Sequence, residues 1–341
     1  MNLLITGGSG FIGSHFIHHL LTLDKGYSIF NLDKLTYAHC DSHLDSLKGH
    51  PKYTFIQGDI CNQDHVNDLF KTFQFQGVIH FAAESHVDNS ISGPEVFIDT
   101  NIKGTYNLIH AAKTLWMNAP FEQKESFKTA RFHHISTDEV FGSLGSTGTF
   151  SESTAYAPNS PYSASKASSD FIVRSYHHTF GLNITISNCS NNYGPFQHDE
   201  KLIPTIIRNA LNHNPIPIYG DGKNIRDWLY VKDHATAICD IFFKGNSGET
   251  YNIGTRNEQK NIDLCQHICA KLDQLHPSTQ LTSYKDLITY VKDRPGHDKR
   301  YAIDSTKIES ELGWSALADF DTYLEETISF YIKKYNNVKT R

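Results

Sequence analysis

No two of the six cysteines form a Cys-x-x-Cys pair, and Cys40, Cys61, Cys189, Cys239, Cys265 and Cys269 follow no compact disulfide spacing. A thiol-redox motif, a cysteine-ligated zinc site and a disulfide scaffold are therefore disfavoured, and reduced thiols are expected. No apolar run approaches the ~20 residues needed to cross a bilayer. The opening "MNLLITGG" has neither the basic segment nor the apolar core of a signal peptide, so a cytoplasmic protein is expected. Positive charge is not in excess either. With 31 Lys+Arg against 37 Asp+Glu the net charge is −6, which gives no general attraction to nucleic acid or anionic lipid. Internal repeats, low-complexity tracts and heptads are missing too, which speaks for a compact enzyme over a scaffold.

Histidine, by contrast, is plentiful, at 20 residues. "HFIHH" places His15 and His19 four apart on an expected helix, but Phe16 stands where the zinc-protease motif needs glutamate. Solvated helix histidines and no metal are the expectation.

The 341 residues suffice for a large buried core. The first half alternates short apolar runs with helix-length stretches. "NLLIT" (2–6), "SIFNL" (28–32), "YTFIQ" (53–57), "GVIHF" (77–81), "RFHHIS" (131–136) and "NITISN" (183–188) read as strands. "GFIGSHFIHHLLTL" and "FIDTNIKGTYNLIHAAKTL" read as helices between them. Repeated strand, helix, strand implies an α/β fold: a Rossmann-like, doubly wound parallel sheet with helices on both faces. After Asn188 the chain turns Pro- and Gly-rich, as expected of a smaller α/β substrate-binding lobe, while "ETYNIG" (249–254) reads as a strand returning to the sheet. The expected division is 1–187 and 228–254 for the dinucleotide, and 188–227 and 255–341 for a second ligand.

Directly after the first strand comes "TGGSGFIG", with glycines at 7, 8, 10 and 13. Glycines there permit a tight turn and close backbone approach to a pyrophosphate, whose charge the following helix N-terminus receives. Asp33 ends the second strand twenty residues beyond Gly13, the distance at which a carboxylate binds the adenosine ribose. That acid would repel a 2′-phosphate, so NAD is expected over NADP. "GDI" (58–60) and "FAAES" (81–85) fall at the carboxyl ends of the next two strands, where ligands bind in open sheets.

Two further groups carry chemistry. Tyr162 and Lys166, four apart at the start of a helix, share one face. A tyrosine titrates near ~10, and an adjacent ammonium would lower that value and make the phenol a usable base. "STDEVFG" (136–142) places the adjacent carboxyls Asp138 and Glu139 just after a strand, where they are either a solvated turn or an acid and a base.

Together, "TGGSGFIGSH", "HFAAESHVD", "TNIKGTYNL", "STDEVFG" and "SPYSASK" resemble the extended short-chain dehydrogenase/reductase family over nearly the whole chain. The acidic pair, with "NCSNNYGPFQ", "EKLIP", "IYGDGKNIRDWLYV" and "DRPGHDKRYAID", is similar to that family's sugar-nucleotide 4,6-dehydratases. The resemblance implies an NAD-dependent lyase acting on dTDP-glucose, with UDP-glucose as an alternative. A 4-epimerase, a decarboxylase and a non-catalytic NAD-sensing protein are the rivals. Chemistry gives the acidic pair a separate reason. C5–H of a glucosyl unit becomes acidic only after C4 is oxidised, and elimination then needs a base at C5 and an acid at O6. The resemblance makes Glu139 that base and Asp138 that acid, with Thr137, Tyr162 and Lys166 completing the catalytic set.

By the same likeness the cofactor contacts are Gly7, Gly10, Phe11, Ile12, Gly13, Asp33, Lys34, Leu35, Thr36, Asp59, Ile60, Phe81, Ala82, Ala83, Ser85, Thr100 and Asn192, besides Tyr162 and Lys166. The implied substrate contacts are Glu84, Thr137, Asn191, Lys201, Leu202, Pro217, Tyr219, Arg226, Asn261, Arg294 and His297. Arginine suits phosphate because its planar fork binds oxygens in pairs. A homodimer through helices near 98–115 and 162–180 is also implied. Phe141 stands where related dehydratases carry tyrosine, so a hydroxyl is missing there.

Overall fold

The computed structural model describes residues 1–339 apart from 24, 41 and 318. Seven parallel strands form its central sheet: β1 (Asn2–Thr6), β2 (Ser28–Asp33), β3 (Tyr53–Gln57), β4 (Gly77–His80), β5 (Arg131–Thr137), β6 (Ile184–Cys189) and β7 (Thr250–Ile253). In space they run β7-β6-β5-β4-β1-β2-β3. The chain starts mid-sheet, runs to one edge, then returns to build the other half. The order reverses between β1 and β4, and ligands of open sheets bind at the strand ends beside such a reversal.

Both faces of the sheet are covered. Leu3 and Ile5 of β1 join a core with Phe16, Ile17, Ile79 and Ile238, while Leu4 joins another with Val78, Leu108, Phe132 and Val173. Double burial is why β1 and β4 read as short apolar runs. Each such Leu or Ile contributes roughly 1.5–3 kcal/mol by leaving water.

β5 departs from that rule. His133 and His134 are fully buried in it, and polar neighbours satisfy both ring nitrogens of His133. His133 lies opposite Thr185 in register, with Nδ1 2.9 Å from Thr185 Oγ1 and Nε2 3.1 Å from Ser187 Oγ.

The expectation of solvated histidines on the first helix, Phe11–Thr22, fails for His15. That ring is buried, with Nε2 3.0 Å from the Pro195 carbonyl, and burial lowers its pKa to about 4. The helix face bearing it packs on the 195–196 segment, edge-on to Phe196. His19 stays half-buried.

The helix expected over 97–115 is interrupted. Ile98–Gly104 is a π-helical turn, followed by an α-helix over Thr105–Trp116. Within the wider turn Asn101 reaches back to the end of β4. Its Oδ1 accepts from Glu84 N at 2.8 Å, and its Nδ2 donates to the Glu84 carbonyl at 3.0 Å and to Ser165 Oγ at 2.8 Å. Single π turns of this kind recur where a side chain must be re-aimed at a site.

Helix Pro161–Phe180 opens with a Ser160/Ser163 capping box and Pro161 at its first position, and ends on Gly181 in the left-handed region. Its start is thereby fixed, and with it Tyr162 and Lys166. After β6 the chain builds a second lobe from strands Asn191–Tyr193, Ile225–Tyr230 and Glu258–Lys260, and a parallel pair Ile216–Tyr219 and Ile288–Val291. Helices Leu202–Leu211, Asn261–Leu275 and Phe320–Lys339 pack around Tyr193, Ile207, Trp228, Ile268 and Ile328. Among the described residues no helix is long and apolar enough to cross a membrane.

Candidate active site

The first wall of the site is the β1 turn. Gly7 has φ +69°, and a Cβ on it would stand 2.6 Å from the backbone of Ala82, so only glycine lets these two strand ends meet. Gly13 lies one helical turn in, where a Cβ would stand 2.5 Å from the Gly7 carbonyl. Asp33 accepts hydrogen bonds from Ser9 N and Leu35 N, each at 2.9 Å. Burial pushes its carboxyl above the usual range, against those two bonds. Lys34 pairs with Asp59 at 2.7 Å. A bare backbone cradle followed by an acid at the next strand end fits a dinucleotide.

The opposite wall is the end of β5. Thr137 is the last strand residue, and Asp138–Phe141 form one 3₁₀ turn. The Thr137 hydroxyl accepts from Glu139 N at 3.3 Å and donates to Asp138 Oδ1 at 3.3 Å. Gly142 closes the turn at φ +86°, with Ala157 O where a Cβ would go. Phe141 packs in an apolar cluster with Val140, Phe150 and Tyr301.

Electrostatics separate the two acids. Asp138 is buried, and its carboxyl is pushed well above the usual range by that burial and then by Glu139. Glu139 is raised by burial too, but Arg294, Arg226 and Lys201 oppose the rise. One carboxyl therefore favours its proton while the other has cations holding it toward the ionised form, the division expected of an acid and a base.

Tyr162 and Lys166 face the same space, but the expected lowering of the phenol does not appear. Burial, then Glu139, push Tyr162 well above its ordinary value. The Lys166 ammonium is turned elsewhere, donating to the Ile135 carbonyl at 2.8 Å. Burial lowers it to about 8.

These walls enclose a cavity of about 320 Å³. Of the expected cofactor contacts, Gly7, Gly10, Phe11, Ile12, Asp33, Lys34, Thr36, Asp59, Ile60, Phe81, Ala82, Ala83, Ser85, Thr100, Tyr162, Lys166 and Asn192 line it. Gly13 and Leu35 are not part of that lining. Glu84, Thr137, Asn191 and Lys201 line the same cavity among the expected substrate contacts.

The remaining expected substrate residues lie outside that lining, on the second lobe. Leu202 begins the helix after Lys201, and Pro217 sits exposed in its strand. Arg226 is buried, with its guanidinium 4.2 Å from the Tyr301 ring centre. Asn261 carries a buried Oδ1 with no protein partner among the described residues. Arg294 pairs with Asp88 at 3.2 Å, Tyr219 donates to the other Asp88 oxygen at 3.2 Å, and His297 stands edge-on to Tyr219.

Sequence reasoning missed Asp88, Gln197, His198 and Glu200. The last three line the cavity, and Asp88 ties Arg294 and Tyr219 to the nucleotide-binding half. Asp88 lies in a quoted motif, "HFAAESHVD", and its charge beside a strand end was the available signal.

The chain matches the family model described as GDP-mannose 4,6 dehydratase over residues 4–327. It belongs to that family. A probable dTDP-glucose 4,6-dehydratase of Sinorhizobium fredii is 51% identical, with 98% of this chain and 93% of that protein covered. The dTDP-glucose 4,6-dehydratase of Salmonella typhimurium is 49% identical, with 100% and 96% covered. Among solved structures, the dTDP-glucose 4,6-dehydratase of Streptomyces venezuelae, with NAD bound, superposes at TM-score 0.88 and 40% identity over 98% of both chains. Membership in this dehydratase family agrees with the acidic pair at the end of β5.

Proposed function

We infer that the protein catalyses the 4,6-dehydration of dTDP-glucose, giving dTDP-4-keto-6-deoxyglucose and water, with NAD unchanged over each turnover. The observation that carries this reading is the Asp138–Glu139 pair in one cavity with Tyr162, Lys166 and the glycine turn. A 4-epimerase or a decarboxylase expels no water from C6 and has no use for a proton donor there. The names of the relatives support dTDP as the nucleotide and NAD as the cofactor.

When bound, NAD supplies the oxidation of C4 and the later reduction of C6. The glycine turn and Asp33 would hold it, with Lys34, Thr36, Asp59, Ala82, Ser85 and Asn192 around it. Tyr162 takes the O4 proton, and the Lys166 charge offsets part of what burial costs the phenolate. Glu139, kept basic by Arg294, Arg226 and Lys201, takes the C5 proton once C4 is a ketone. Asp138, kept protonated by burial and by Glu139, gives its proton to the departing O6. Glu139 returns the first proton to C5. Arg226 and Arg294 serve the diphosphate, and Asn191 and Lys201 the sugar end.

The same reading assigns NAD to residues 1–187 and 228–254 and the nucleotide sugar to 188–227 and 255–341. It also makes the protein a homodimer through the helical segments near 98–115 and 162–180. Ile98, Tyr106 and Phe171 on these segments are large apolar side chains exposed in the single chain, which supports that contact. A monodisperse monomer by light scattering would contradict it. Residence in the cytoplasm, where NAD and nucleotide sugars are made, belongs to the same proposal.

Mass spectrometry tests the activity. Purified protein is incubated without added NAD with dTDP-glucose, UDP-glucose or GDP-mannose in separate tubes. Loss of one water from dTDP-glucose alone is expected, and no mass change in any tube after NAD is supplied would overturn the reading.

A further inference from the structure

The connection that leaves β2 carries three residues of the cavity wall, Thr36, Ala38 and His39, and it is pinned along its length. At its start Leu35 takes φ +58°, and its N–H donates to Asp33 Oδ1 at 2.9 Å. Farther on, the Cys40 N–H donates to the carbonyl of Ser9, inside the glycine turn, at 2.8 Å, and Cys40 Sγ donates to the Phe196 carbonyl at 3.0 Å. His43 completes the attachment. Its ring lies flat against Phe196, with centres 3.8 Å and planes 8° apart, and it meets His15 and His18 of the first helix at 4.4 and 4.7 Å between centres.

We propose that His43 is a positioning residue for NAD: its neutral imidazole holds this connection against the glycine turn and the second lobe, and a proton on it loosens the connection and speeds release of the cofactor. This role rests on NAD being the bound cofactor.

Both halves of the molecule are shaped to the ring. Phe196 sits at φ +67°, a backbone conformation costly for a bulky residue and kept only where its surroundings determine it. Its contacts with His43, and with Phe330 at 4.5 Å, do so. His15 Nε2 donates to the neighbouring Pro195 carbonyl at 3.0 Å, and His18 Nε2 donates to the carbonyl of His43 itself at 2.7 Å. Ser14 Oγ gives its proton to the Phe11 carbonyl, so His43 Nδ1, 2.8 Å from that oxygen, is the donor of the pair and carries the single proton of the neutral ring.

A second proton would turn that ring into a cation in a cationic setting. Facing it are His15 and His18 from the first helix and Lys232 from helix Val231–Lys244. Glu326, which favours charge on His15, is already paired with Lys232 at 2.9 Å. Burial, then these three groups, lower His43 to about 2. Once the connection opens, the ring returns to its ordinary value of ~6.5. Closure is therefore at full strength above ~6.5 and weakens about tenfold for each pH unit below it.

Cofactor exchange tests this without measuring turnover. Enzyme loaded with radiolabelled NAD is chased with unlabelled NAD, and the rate of label loss is read at pH 7.5 and 5.5. Wild type is expected to lose label about tenfold faster at pH 5.5. His43→Phe keeps a ring against Phe196 and cannot take the proton, so its rate should rise less. An equal or larger rise in that variant would place the acid effect elsewhere, at Asp33 for example, and overturn the proposal, as would equal wild-type rates at the two pH values. Should the phenylalanine variant not fold, His43→Gln, which keeps a donor and stays uncharged, carries the same comparison. Wild-type protein that binds no NAD at either pH would instead sink the cofactor reading.

Discussion

The Lys166 ammonium stands 3.4 Å from Nε2 of His134, a ring held uncharged by burial and then by that same ammonium. Asp170 approaches the same ring nitrogen, its carboxyl 3.2 Å from His134 Nε2. It accepts from Ser136 Oγ at 2.7 Å and Tyr156 Oη at 3.0 Å. The lysine therefore owes its charge to a carboxylate it does not touch.

A pH dependence follows from that arrangement. Burial lowers Lys166 to about 8, against the opposing effects of Asp170 and Cys189. Its charge is present below that value and is lost as pH rises through it, so kcat/KM and NAD retention should fall above about pH 8. Asp170→Asn keeps the shape of the side chain and removes the countercharge. The alkaline limb of its profile should move to lower pH, and an unmoved limb would show that Asp170 does not govern the lysine.

Asp138 sets function against stability. A carboxyl whose folded pKa is raised binds a proton in the folded chain where the unfolded chain has lost its own. Its contribution is intact below the unfolded value of ~3.9 and is lost as pH rises through the folded value. Burial raises Asp138 well above that range. Asp138→Asn should therefore melt higher than wild type at pH 8, with a smaller gap at pH 5, while dehydration falls about 10²–10⁴-fold. Melting temperatures at or below wild type at both pH values would contradict the burial penalty.

The glycine turn makes a simpler prediction. At Gly7 a methyl group meets both an unfavourable φ of +69° and the Ala82 backbone at 2.6 Å, a strain worth about 1–3 kcal/mol. Gly7→Ala should lower stability and release NAD on purification. At Gly49, also at positive φ, a Cβ meets nothing within 4 Å, so Gly49→Ala should cost less stability and keep the cofactor. Equal cofactor retention in the two variants would show that the β1 turn does not cradle it.

Much of this was legible in the sequence because parallel strands buried on both faces have few choices of residue. β1 and β4 announced themselves as apolar runs, and the return of 249–254 to the sheet was readable from its strand-like pattern. The π turn at Ile98–Gly104 was not, since its residues carry an ordinary helical pattern and the widening serves the contact of Asn101 with Glu84 and Ser165. His15 was misread because helical spacing does not say which face another segment will cover. Asp88 was missed because its partners, Tyr219 and Arg294, lie 131 and 206 residues away. The high pKa of Tyr162 likewise comes from burial and from Glu139, neither of which its own helix displays.

Charge and shape at the second-lobe arginines should separate by substitution. Arg294 is the largest of three cationic influences that favour ionised Glu139, ahead of Arg226 and Lys201. Arg294→Gln removes that charge, so the Glu139 carboxyl should rise further. A base with a raised pKa is lost to protonation at higher pH, and the acid limb of kcat should shift upward. Arg226 differs because it donates to the Ile225 carbonyl at 2.8 Å and the Asp298 carbonyl at 3.0 Å, with its plane over Tyr301. Arg226→Lys keeps the charge and loses the fork. It should leave the acid limb in place and raise KM for dTDP-glucose about 10- to 100-fold, the loss of a charged hydrogen bond of about 1.5–3 kcal/mol. Steady-state profiles from pH 5 to 9 read both effects, and an acid limb that moves in the lysine variant but not in the glutamine variant would reverse these roles.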